Sequence, residues 1–156
     1  MAKLTVVGLD MYLNNLRNMN NELRNINKGA LGEGAKVAAE TIRDALDTLP
    51  IRPEDAKHDR AYYGVTESEF AQITNNFGIA RFKNASGGWN TSVGFHGMVH
   101  TEGQEVPTGM LMQAVEHGTK FRRPTRIISR AVNSVKTTVP AAMQEYIDEK
   151  VNKIMN

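Results

Sequence analysis

Three groups of residues in this chain have the types and spacing to do chemistry, and the element each sits on decides whether they can. Gly29-Ala-Leu-Gly-Glu-Gly34 carries the glycine spacing of a phosphate-cradling loop. Such a loop needs a lysine directly after its last glycine to meet the phosphates, and Ala35 stands there, so the glycines read instead as a flexible joint between helices. His96 and His100 stand four apart with Glu102 beside them, which would offer a metal two imidazole nitrogens and a carboxylate if the segment were helical. Gly97 and the absence of helical periodicity put them on a loop, where histidines are ordinarily surface residues. Neither His58 nor His117 has a spaced partner. Ser86 lacks the strand–turn–helix setting of a nucleophile, and Glu67 and Glu69 fall at a helix start, where the helix dipole alone favours negative charge. No enzymatic activity, cofactor or metal is expected.

The basic residues are better organised. Lys120, Arg122, Arg123, Arg126, Arg130 and Lys136 have no Asp or Glu among them, and against 19 Lys and Arg and 17 Asp and Glu in all they leave the rest of the chain acidic. Arg122, Arg126 and Arg130 are spaced by four. On a helix begun one turn early their guanidinium groups would share one face, roughly 6 Å apart, a row suited to phosphate or carboxylate. Such a row positions a protein on a polyanion without reading bases, so any DNA contact is expected to be non-specific.

Length and composition bound the rest. The 156 residues, 40% apolar and 23% charged, are expected to form a single domain over 1–156 with one modest core. The absence of cysteine removes disulfides, thiol nucleophiles and cysteine-based metal sites, and a reducing compartment is expected. No apolar run reaches the roughly 18–20 residues that cross a bilayer, and Met1 to Asp10 does not read as a signal peptide.

The elements that must position these groups follow from periodicity. Lys3 to Val7 alternates like a short strand, and Asp10 stands where a helix N-cap is expected. Leu13, Leu16, Met19, Leu23 and Ile26 form one stripe of a helix whose other faces hold many of the seven asparagines between Asn14 and Asn27, a composition of weak helix propensity. Val37 to Leu49 continues the pattern after the glycines, as either a second helix or the far half of one long bent helix, stopped by Pro50. Residues 50–65 read as a long loop. Thr66 and Glu69 have capping-box spacing for a short helix through Phe70, Ile73 and Phe77. Ile79 to Phe82 and Trp89 to Phe95 read as two strands around a glycine-rich tip at 84–88, and 97–109 as a second long loop. Met110 to Val115 is a helix or a strand. From Thr125 a final helix carries Ile128, Val132, Val135, Val139, Met143, Ile147, Val151 and Ile154, kinked or split at Pro140. The fold class is α+β: a small antiparallel sheet with N-terminal helices and a long C-terminal helix packed on it.

Several segments together resemble the tail-completion or head–tail joining family of tailed bacteriophages, described by its HK97 gp10-like members. They are Leu4 to Asp10, Leu31 to Ile42, the hairpin Gly78 to Phe82 with Gly88 to Phe95, and above all Ala114-Val-Glu-His-Gly-Thr119 followed by Phe121-Arg-Arg and an amphipathic C-terminal helix. The resemblance implies a virion structural protein with no catalytic role, a homo-oligomer assembling as a hexameric ring at the tail–capsid junction after synthesis in the bacterial cytoplasm. Its partners would be the tail tube or tail terminator and the neck and connector proteins, with non-specific contact to DNA in transit and none to membrane. A head-closure or adaptor protein is the nearest alternative, and a DNA-binding regulator a more distant one. Within this reading Lys120, Arg122, Arg123, Arg126 and Arg130 are the interface or polyanion residues. Asp55, Tyr62, Tyr63, Ser86, His100 and Glu102, on the loops and the hairpin tip, are the subunit and partner contacts.

Overall fold

The structure is a computed structural model that describes residues 9–53, 62–85 and 88–155. The expected strand at Lys3 to Val7 and the contact residues Asp55 and Ser86 lie outside the described residues.

Helix α1 (Leu9–Leu46) is one unbroken helix of 38 residues, so the glycines are not a joint between two. Asp10 falls inside its first turn rather than ahead of it. The reason for the glycines lies across the interface with α4 (Ile127–Met155), which runs antiparallel to α1. A Cβ on Gly29 would fall 2.2 Å from Tyr146 Oη, and one on Gly34 2.8 Å from Met143 Cγ, so the missing side chains let the two helices approach. Helix continuity costs about 1 kcal/mol per glycine relative to alanine, and packing offsets it. Of the kink or split expected at Pro140, the split does not occur: α4 passes through Pro140 as a single element. A proline inside a helix lacks the N–H that would bond the carbonyl four residues back, and packing along α1 holds the helix across that gap.

Between the long helices in chain order lie α2 (Glu67–Asn75), α3 (Thr108–His117) and, among the described residues, five two-stranded ladders. Three are antiparallel: β4 (Phe77–Ile79) with β7 (Val93–Phe95), β5 (Lys83–Ala85) with β6 (Gly88–Asn90), and β8 (Met98–Thr101) with β9 (Gln104–Pro107). Two are parallel: β1 (Ile51–Arg52) with β3 (Val65–Thr66), and β2 (Tyr62–Tyr63) with β10 (Arg122–Arg123). The α+β class holds, with one N-terminal helix and several small ladders where a single sheet was expected. The glycine-rich hairpin is present as the β4–β7 and β5–β6 ladders, and the arm lies along α1, where Lys28 Nζ stands 4.7 Å over the Trp89 ring.

Residues 97–109 are not a loop. Thr101 pairs with Gln104, leaving Glu102 and Gly103 as a two-residue turn with φ of 50° and 74°, the left-handed pair that matches the twist of a tight hairpin. Phe77 opens β4 instead of closing α2, and α3 settles the ambiguous 110–115 stretch as helix. The core gathers Ile42 and Leu46 from the end of α1 and Leu49 just beyond it with Val65, Ile73, Phe77, Val99, Leu111, Met112, Val115 and Ala131.

Candidate functional site

The expected arginine row does not exist as a row, because α4 begins at Ile127 and only Arg130 lies on it. Arg126 precedes the helix in a left-handed conformation, with φ of 53°. Arg122 sits on β10 and is 4% exposed, so it cannot meet a polyanion at the surface.

Its placement follows from local chemistry. Thr119 Oγ1 accepts from the N–H groups of Phe121 and Arg122, bending the chain after α3 so that β10 runs beside β2. Strand alternation then sends Arg122 inward and leaves Arg123 exposed. Inside, Arg122 Nη1 donates to Gly64 O at 2.7 Å and Nη2 to Glu69 Oε1 at 3.2 Å, and the guanidinium lies 4.7 Å from the Tyr62 ring centroid.

Glu69 serves two structures at once. Its Oε2 accepts from Thr66 N while Thr66 Oγ1 accepts from Glu69 N, completing the capping box of α2 that the sequence spacing predicted. Its Oε1 accepts from Thr101 Oγ1 at 2.6 Å and from Arg122. Burial alone would push the carboxyl up. The bonds from Thr101 and Thr66 and the charge of Arg122 outweigh it and hold Glu69 below the ordinary carboxylate range. The dipole reading of Glu69 as a simple helix-start charge therefore missed a buried ion pair spanning 53 residues.

Glu116, in the segment that carries the family resemblance, is also structural. It reaches from the end of α3 to accept from Ile128 N at 2.9 Å and Ser129 N at 2.8 Å, capping α4 from a different helix. Burial raises its pKa, and hydrogen bonds from Ser129 and Ile128 and the charge of His117 more than reverse this, leaving it lowered.

Among the other expected contact residues, Tyr62 is drawn into the Arg122 cluster, where its hydroxyl lies 3.4 Å from Glu102 Oε1. Tyr63, His100 and Glu102 are exposed. The backbone of His100 is held to α2 by two bonds with Gln72, so this hairpin is an anchored element. Lys120, Arg123, Arg126 and Arg130 remain on the surface beside Phe121, itself well exposed. Arg130 Nη2 donates to Thr125 O. His96 and His100 form no ligand set, and among the described residues no group of three or more His, Asp or Glu is placed to hold a metal. None of the described helices is long and apolar enough to cross a membrane.

Sequence reasoning missed Arg52. The signal was slight: an arginine alternating with exposed Ile51 just after a proline stop. It is buried, and its guanidinium lies 3.9 Å from the Tyr62 ring centroid, so two guanidinium groups lie over one phenol.

Comparison with models of protein families, with curated proteins and with solved structures finds no match to this chain.

Proposed function

We propose that this chain is the protomer of an oligomeric assembly and, following its resemblance, a virion structural protein that completes the tail and joins it to the capsid as a ring. One observation carries the proposal: among the described residues, the early part of α1 is exposed on every face, its apolar stripe included. Gly29 faces Tyr146, so the end of α4 reaches only to about residue 20 of α1, and the preceding stretch projects by roughly 15 Å at 1.5 Å per residue. Residues 17 to 25 are all exposed, among them Met19 at 53% and Leu23 at 45% on the apolar stripe. An asparagine-rich helix is marginal without tertiary contacts, and a projecting one with an apolar stripe acquires its stability from another molecule.

Two further features fit the same reading. The two-stranded ladders leave strand edges unpaired, and large apolar side chains such as Ile51, Ile79, Met98, Met110 and Phe121 are exposed around them. The surface cations Lys120, Arg123, Arg126 and Arg130 supply a positive patch for an acidic neighbouring ring or for DNA in transit, in either case without chemistry. A head-closure or adaptor ring uses the same surfaces, and the choice between the two sides of the neck rests with the partner.

The test is absolute mass by light scattering across concentration, alone and with purified tail tubes. A ring of about six copies, alone or on tubes, is the expected result. A chain that stays monomeric and ignores both tubes and connectors refutes the proposal. Leu23→Asp, at an exposed position, is expected to leave the melting temperature of the isolated chain unchanged while abolishing assembly.

A further inference from the structure

Arg52 stands in the charge cluster without the partner that Arg122 has. It points inward from β1 and is 9% exposed; its Nε is buried and donates no hydrogen bond, and it forms no ion pair among the described residues. It opens on a cavity of about 250 Å³ lined also by Thr66, Ser68, Glu69, Thr101 and Glu102. Burying a guanidinium with an unfilled donor is costly, and the cost is relieved when an acceptor arrives.

The surroundings define that acceptor. Thr66 and Ser68 bring the N-terminus of α2 to the cavity wall, where the capping box already satisfies the N–H groups of Thr66 and Glu69 and the helix dipole favours an anion. Glu69 is already paired with Arg122, so it is not free to serve Arg52. A carboxylate matches Arg52 in charge and in planar, two-pronged geometry. A phosphate would bring a second negative charge and a third oxygen against the carboxylates of Glu69 and Glu102. The cavity has room for one acidic side chain, and the Tyr62 ring holds the guanidinium in place to receive it.

The chain itself carries a suitable donor. Glu40 and Asp44 are exposed four apart on one face of α1, Asp47 is exposed just beyond its end, and none of the three forms an ion pair among the described residues. A cation pocket on one patch and an acidic row on another are the two halves of a heterologous contact, the kind that closes rings.

We propose that the Arg52 cavity is a carboxylate-binding site, filled on assembly by an acidic side chain of the Glu40, Asp44 and Asp47 row of a second copy of this chain. The identity of the occupant rests on the assembly reading above. The carboxylate site itself does not.

Two measurements separate these. In the full chain carrying Glu40→Lys, Asp44→Lys and Asp47→Lys, which keeps the cavity and removes its occupant, the Arg52 Nε–H resonance is followed by NMR. N-acetylglutamate α-amide is the titrant, and the resonance is assigned by its loss in Arg52→Lys. A saturable downfield shift is expected, absent with N-acetylglutamine amide, and isothermal calorimetry with the same titrant is expected to show binding weakened about tenfold or more in Arg52→Gln, checked for its fold by circular dichroism. An unmoved resonance, or inorganic phosphate displacing the probe at lower concentration, overturns the carboxylate site. In the second measurement, light scattering compares the wild type, Arg52→Gln and the acidic-row variant. Loss of the oligomer in both variants is expected. An oligomer that survives either one overturns the assigned occupant while the assembly reading stands, and a wild type that stays monomeric while the probe still binds overturns the assembly reading and the occupant but not the site.

Discussion

Replacing Arg122 by glutamine separates a structural arginine from a surface cation. The variant loses the bond from Nη1 to Gly64 O at 2.7 Å and the ion pair with Glu69 at 3.2 Å, both with almost no solvent access: the two side chains are 5% and 2% exposed. Removing one partner of a buried pair leaves the other charge uncompensated, at a cost of about 3–5 kcal/mol. Glu69 keeps its bonds from Thr66 and Thr101, which favours the lower end of that range. For a chain of this size about 3 kcal/mol corresponds to a fall in melting temperature of roughly 6–12 °C. Urea unfolding of Arg122→Gln beside Arg123→Gln and Arg126→Gln measures it directly, and the two exposed positions are expected to stay within about 0.5 kcal/mol of wild type. A loss below about 1 kcal/mol for Arg122→Gln, or equal losses at all three positions, would refute the assignment of Arg122 to the core and return it to the surface row.

Acid should unfold the chain through two carboxylates. Glu69 and Glu116 both titrate below their ordinary value of 4.5 in the folded state, so the unfolded chain takes up protons first as pH falls. Their contribution is complete above pH 4.5 and is withdrawn as pH drops through the lowered folded values; stability measured from pH 6 to pH 2 should fall across that range, and Glu116→Gln should flatten part of the decline. Gly64→Ala should be among the most damaging small substitutions, since φ is 87° and the new Cβ would lie 1.9 Å from Pro50 O; a loss of more than about 2 kcal/mol in urea unfolding is expected, and a neutral result would mean that the β1–β3 crossing is wrongly placed. Glu69→Gln, which keeps the shape of the capping residue but removes its charge, should cost more than Glu67→Gln, exposed on the same first turn, as compared by thermal unfolding.

Residues close together in sequence declared themselves. The stripes of α1 and α4, the Thr66–Glu69 capping box and the glycine-rich hairpin depend on side chains within a few positions of one another, and pattern alone was enough to place them. The tight hairpin at Glu102–Gly103 was within reach too: Val99 and Val106 alternate symmetrically about a two-residue turn, and polar residues around them masked the period. The glycines at 29 and 34 were not legible, because a glycine that admits a neighbouring helix looks the same in sequence as one that breaks its own.

The sequence by itself determined the α+β class, the apolar stripes that α1 and α4 carry, the absence of cysteine chemistry and the separation of a basic segment from an acidic remainder. Only the tertiary structure decided what the charges in that segment do. Arg122 was indistinguishable from Arg123 and Arg126 until the bend at Thr119 and the pairing of β10 with β2 set the strand's inward face. Its partners Gly64 and Glu69 lie more than 50 residues away in the chain. Burial converts a solvated cation into half of an ion pair, and which cation is buried depends on contacts that no local pattern encodes. The same holds for Arg52, whose buried Nε is left without a hydrogen-bond partner only once β1, β3 and the β8–β9 hairpin have closed around it.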